Sequence, residues 1–79
     1  MGAQITLADM NAGETGTVIE VLGGRGVNQR LYSLGIRPKS KVTKVSKAFG
    51  RGLVILQVGR AQIALGFGIS HKVIIEVER

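Results

Sequence analysis

The sequence predicts a small, mainly β protein: five short strands closed into a barrel, with one α-helix inserted after the first strand. Three observations carry this. Twelve glycines stand against one proline in 79 residues, a density that suits tight turns between short strands. Runs rich in β-branched and aliphatic residues recur, such as "TGTVIEVLG", "LVILQV" and "VIIEVE", and such residues favour strands. One stretch, "GVNQRLYSLG", has the apolar spacing of a good helix. A five-stranded sheet with short connections closes most naturally into a small barrel, and closure removes exposed edges. The alternative is an open α+β sandwich with the helix across one sheet face.

Taken in order, "ITLADMNAGETG" opens the chain. Leu7 and Met10 are three apart, as in a single helical turn that drops two apolar side chains inward. Thr6 is placed to cap that turn, and Gly13 stops it. Residues 15–22 read as the first strand. Residues 26–35 read as the helix, with Val27, Leu31 and Leu34 at i, i+4 and i+7 on one face. Gly35 sits where a helix ends in a left-handed residue, Ile36 can make the hydrophobic contact of such a cap, and Pro38 prevents resumption.

Residues 40–48 read as a second strand whose alternation breaks once, because Val42 and Val45 are three apart. A bulge or a strong bend there would restore the phase. "FGRG" is turn material. Residues 53–58 form a third strand. Gly59-Arg60 is a two-residue hairpin loop suited to a type II′ turn, and "AQIAL" is the fourth strand. "GFGISHK" is a tight bend with room for one helical turn, and residues 73–78 are the last strand.

Composition bounds the function. Residues 1–79 make one domain, too small for a deep, water-excluding active site. Aromatic content is 4%, from Tyr32, Phe49 and Phe67, so the core is aliphatic. With no cysteine, disulfides and thiolate metal sites are excluded. No apolar run approaches the ~20 residues of a membrane-spanning helix, and the start has no signal-peptide pattern. The Met-Gly start alone is a weak lipidation signal. The sequence reads as cytoplasmic, without membrane insertion.

The formal net charge is +6, and its distribution says more than its value. The acids are Asp9, Glu14, Glu20, Glu76 and Glu78. Between Val21 and Ile75 there are none, while that interval holds Arg25, Arg30, Arg37, Lys39, Lys41, Lys44, Lys47, Arg51, Arg60 and Lys72. Such a middle suits nucleic acid, an anionic surface or an acidic protein. It equally suits a merely solvated surface.

Chemical motifs are sparse. "GGRG" before a helix invites a phosphate reading, but it is followed by Val27, Asn28 and Gln29. Neither the P-loop nor the dinucleotide fingerprint is met. The glycines serve better as the hinge from strand to helix. His71 is the sole histidine, and nothing assembles it with Ser70 and an acid for catalysis. His71 with Glu76 or Glu78 is a thin metal set. Base stacking would have only Tyr32, Phe49 and Phe67 to use. No enzyme activity, cofactor or nucleic-acid partner is therefore expected.

Several motifs, in order, resemble the FeoA family of small proteins of bacterial ferrous-iron uptake. Leu7, Met10, Gly13 and Gly16 look like its opening pattern. Arg30-Leu31, Leu34-Gly35-Ile36 and Pro38 resemble its most recognisable block. Val54, Leu56 and Val58 with Ile63-Ala64-Leu65-Gly66, then Lys72-Val73 and Ile75, resemble its later strands. The same domain resembles the C-terminal domain of diphtheria-toxin-repressor-type regulators. The chain departs from the pattern at Lys39, where the family usually has glycine, and also at Ile55, Phe67 and Ser70.

The resemblance implies an SH3-like five-stranded barrel with the helix after the first strand. It implies a non-catalytic accessory protein that contacts the cytoplasmic GTP-binding part of the membrane transporter FeoB. Leu31 and Leu34 are expected to anchor the helix. Asn28, Gln29, Tyr32 and Ser33 then face away as the partner-binding set, with Tyr32 the best anchor. Leu53, Ile55 and Ile74 point away from the barrel interior and are candidates for weak self-association. The alternative function is a transition-metal-sensing or nucleic-acid-binding regulatory domain.

Overall fold

The computed structural model describes residues 2–46 and 52–78. The elements run β1 (Gly2–Thr6), a 3-10 turn (Leu7–Asp9), β2 (Thr15–Val21), α1 (Gly24–Ser33), β3 (Lys41–Ser46), β4 (Leu53–Val58), β5 (Ala61–Gly66), α2 (Phe67–Ser70) and β6 (Val73–Glu78). Lys47, Phe49 and Arg51, the "FGRG" turn apart from Gly52, and the end of the predicted second strand lie outside the described residues.

The described strands form one six-stranded sheet in the order β1-β6-β2-β3-β4-β5, antiparallel at every pairing. This corrects the expected five-stranded closed barrel twice: there is a sixth strand, and the sheet is not closed. The added strand is β1. Its residues have weak strand propensity, but each of Gly2 to Thr6 stands opposite a residue of β6, from Glu78 to Ile74. Pairing, not propensity, makes it a strand. The sheet ends instead at two edges, β1 and β5.

The core is aliphatic. Leu7, Met10, Val18, Val21, Leu31, Ile36, Val42, Val54, Leu56, Leu65, Val73, Ile75 and Val77 form one buried cluster. Tyr32 and Phe67 are exposed. Leu7 and Met10 drop fully inward from the 3-10 turn. Thr6 stands before it, but its hydroxyl donates to the Asp9 carboxylate at 3.0 Å and makes no cap to a backbone N–H. In β2 the register against β6 shifts between Val18 and Glu20, which lets Val18 and Val21, three apart, both face the core.

β3 was expected to bulge so that Val42 and Val45 share the inner face. The register against β4 does shift between Lys44 and Ser46, yet Val45 is exposed. Plain alternation puts Val42 and Lys44 inside instead. Lys44 is fully buried, and its ammonium donates to the carbonyls of Ala8 and Met10 at 2.8 Å and of Leu7 at 3.4 Å. A cation at the carbonyl end of a helical turn satisfies acceptors that the turn leaves over. Its neighbouring backbone is tied as well: Gly13 N–H donates to Lys44 O, and Lys44 N–H donates to Glu14 O. One side chain thus rivets the β1–β2 connection to β3. Composition had suggested a surface charge, and the burial overturns that.

The hairpin β4–β5 turns at Gly59-Arg60. Gly59 has φ +61, while Arg60 is not among the positive-φ residues. That is the pattern of a type II′ turn, as expected. Leu53 through Val58 pair with Gly66 through Ala61 without a break.

Candidate partner-binding surface

The helix is positioned at both ends by its own sequence. It starts two residues earlier than its apolar spacing suggested, at Gly24, whose φ is +80. A Cβ on Gly23 would lie 2.4 Å from Val27 Cγ1, so the entry turn needs glycine at both positions. Gly23 N–H donates to Asn28 Oδ1 at 3.1 Å, and Asn28 Nδ2 donates to Val21 O at 3.0 Å. Asn28 therefore bolts the helix to the end of β2, and it is half-buried. The opening glycines serve this turn.

At the other end, Ile36 N–H donates to Leu31 O and Gly35 N–H to Tyr32 O, with Gly35 at φ +92. This is a Schellman cap. Its hydrophobic contact is between Ile36 and Leu31, both buried. The chain then turns through Arg37-Pro38-Lys39-Ser40, closed by Ser40 N–H donating to Arg37 O. Lys39 sits at φ +78, a left-handed position where glycine is favoured at the third residue of a type II turn.

The structure separates the four helix residues predicted for a partner. Gln29 and Tyr32, three apart, are exposed. Asn28 is committed to the entry turn, and the Ser33 hydroxyl donates back to Arg30 O at 2.7 Å. Leu31 anchors the helix as expected. Leu34, the cap residue whose backbone is still in the helical region, does not, being 42% exposed. Of the predicted self-association residues, Leu53 is exposed, whereas Ile55 and Ile74 are half-buried. β2 and β3 stand between β4 and β6 in the sheet, so Ile74 is not a sheet neighbour of the other two.

Leu34 instead borders a groove that sequence reasoning did not find. Val27, Arg30 and Leu31 of α1 with its cap residue Leu34 form one wall, and Ala64, Leu65 and Gly66 of β5 the other, with Ile69 of α2 at its end. Its volume is about 190 Å³. The missed signal was the pairing of an exposed Leu34 with an edge strand, which depends on topology. A second groove of about 280 Å³ lies over Thr15 to Thr17, Lys41, Glu76 and Glu78.

Among the described residues, no three His, Cys, Asp or Glu side chains come together in a way that could hold a metal ion. His71 is exposed and packs edge-on against Phe67, with ring centroids 4.5 Å apart and planes at 85°. No described helix is long and apolar enough to cross a membrane.

An antiparallel sheet with α1 beside its open edge and two shallow grooves among the described residues is the architecture of a small SH3-like domain. The chain belongs to the FeoA family: the FeoA domain model matches residues 5–77. Its fold is similar to that of a crystal structure of the iron uptake regulatory protein FeoA, with TM-score 0.85 and 28% identity over 95% of this chain and 99% of that one. FeoA of Stenotrophomonas maltophilia in complex with zinc, described as an SH3 domain protein, matches at TM-score 0.77 and 24% identity over 90% of this chain and 88% of that one. IdeR of T. acidophilum matches at TM-score 0.82 and 14% identity over 96% of this chain but 35% of its own. The chain thus spans about a third of that regulator. A search of curated protein sequences finds no match.

Proposed function

We propose that this chain is a non-catalytic accessory module of bacterial ferrous-iron uptake. It acts by contact with the cytoplasmic GTP-binding part of the FeoB transporter, and so resides in the cytoplasm. The observation that carries this is the FeoA match over residues 5–77. The family and its solved structures suggest a role in ferrous-iron transport, and the Stenotrophomonas maltophilia protein is described in terms of activating that transport. FeoA is a small accessory-type family, not a known enzyme family. Exposed Tyr32 and Gln29 on α1 support a contact through the outer helix face, with Asn28 and Ser33 shaping it from the backbone side. Tyrosine at the centre of such a patch is a common hot spot.

The test is a pull-down with the transporter's cytoplasmic region. Wild type is retained, and Tyr32→Ala and Gln29→Ala are retained less. Equal retention of all three removes the helix face from the interaction. No retention of wild type removes the transporter contact itself.

A further inference from the structure

β5 is an edge strand whose outer side is chemically unfinished. Val58 and Ala61 flank the two-residue turn, and such a turn closes on a hydrogen-bonded pair. Alternation then makes Leu56–Ile63 and Val54–Leu65 the bonded pairs along the hairpin. The N–H and C=O of Gln62 and Ala64 therefore point to the open edge. Both Gln62 and Ala64 are exposed. Gly66 O is already used by the Ser70 hydroxyl at 2.9 Å, so the open run stops at α2. No charged residue or proline lies within Ala61 to Gly66 to discourage pairing there.

The edge is bordered by the apolar groove, not by flat solvent. At about 190 Å³ the groove is below the roughly 300 Å³ at which small-molecule sites begin. It suits one branched aliphatic side chain set against Val27, Leu34 and Ile69. Charge selects the occupant. Arg30 lines the groove, Arg60 immediately precedes β5, and Lys72 follows α2. All five carboxylates lie on β2, β6 or the β1–β2 connection, across the sheet from β5. A second copy would bring a net charge of +6 against +6, whereas an acidic chain meets a complementary field.

We infer that the groove between α1 and β5 binds an extended acidic segment of a partner protein. The segment adds a strand to β5 through the backbone of Gln62 and Ala64, and seats one aliphatic side chain between Val27, Leu34 and Ile69. Main-chain bonds supply the affinity and the pocket the specificity, as in other strand-addition sites. The inference rests on the reading of this chain as a binding module, but not on the transporter being the partner.

The probe is a nine-residue peptide alternating Glu with Val, titrated into the full isotope-labelled chain and followed by amide NMR and hydrogen exchange. Gln62 and Ala64 amides shift and gain protection. Ala64→Pro, which removes the outward N–H, weakens binding about tenfold or more. Arg30→Glu, an exposed change that leaves the strand intact, weakens it several-fold and reverses the preference toward a matched Lys–Val peptide. Shifts confined to Gln29 and Tyr32, or unchanged binding by Arg30→Glu, overturn the proposal. So does protection of Gln62 and Ala64 that rises with protein concentration alone, since the occupant is then a second copy. A wild-type chain that the transporter region retains, but whose Gln62 and Ala64 amides the acidic peptide neither shifts nor protects, overturns the groove while the accessory function stands. Peptide binding at β5 by a wild-type chain that the transporter region does not retain supports the groove while the transporter reading falls.

Discussion

The two sides of the sheet are built differently. β6 is paired on both flanks, by β1 and β2, and Val73, Ile75 and Val77 on it are buried. Among the described residues β5 is paired on one flank only, and Ala61, Gln62 and Ala64 on it are exposed. The first side, with its connection, carries every carboxylate. The second, with α1 and its turns, carries the exposed Arg25, Arg30, Arg37, Lys39, Lys41 and Arg60. One side is spent on holding the fold. The other keeps unpaired backbone, an open groove and positive charge at the surface, which are the resources of recognition.

Lys44 joins the two, so breaking it has the largest effect. Lys44→Met removes the donor to the carbonyls of Leu7, Ala8 and Met10 and leaves buried acceptors unpaired. Stability falls by about 3 kcal/mol, measured by denaturant unfolding, and a loss under 1 kcal/mol contradicts the rivet. Glycine substitutions then compare the sides directly. A Cβ on Gly16 of β2 would lie 2.3 Å from Ile75 Cγ2 and 2.8 Å from Glu76 O, whereas one on Gly66 of β5 meets nothing within 4 Å. Gly16→Ala costs about 2 kcal/mol and Gly66→Ala changes stability by less than about 0.5 kcal/mol. Equal costs would erase the distinction.

A gain is expected at Lys39. Its left-handed φ strains a side chain by about 1–2 kcal/mol, and the added freedom of glycine in the unfolded chain offsets part of that. Lys39→Gly therefore stabilises by about 0.5–1 kcal/mol, read as a raised Tm. The smallest effect concerns self-association through Leu53, Ile55 and Ile74, proposed as weak and strengthened by salt that screens the like charge. Sedimentation at high concentration shows a minor dimer that Ile55→Lys abolishes. A clean monomer in high salt ends that proposal.

Much of the fold was legible because it rests on local rules. The Schellman end at Leu34-Gly35-Ile36, the type II′ turn at Gly59-Arg60 and the span of β4 follow from nearest-neighbour chemistry. So does the family block from Arg30 to Pro38. The candidate surface was legible only in part. Tyr32 and Gln29 are exposed, as helical spacing implied, but Asn28 turned out to be a backbone brace, because the chain entering the helix passes within reach of its amide. Leu34 belongs to the right face and still escapes burial, because it borders the open groove toward β5 and not the closed core.

By itself the sequence determined the aliphatic core, the helix and its caps, the hairpin, the charge asymmetry along the chain and the family. These depend on spacing, composition and backbone conformational limits, which are properties of short segments. Tertiary structure alone decided that Gly2–Thr6 is a strand, that Lys44 is buried, that the sheet stays open and that α1 faces the β5 edge across a groove. Each depends on what a distant segment supplies: β6 as a partner for β1, the carbonyls of a 3-10 turn for an ammonium, and the absence of any described strand to close on β5. The pairing of segments far apart in the chain settles such questions, and no local pattern encodes it.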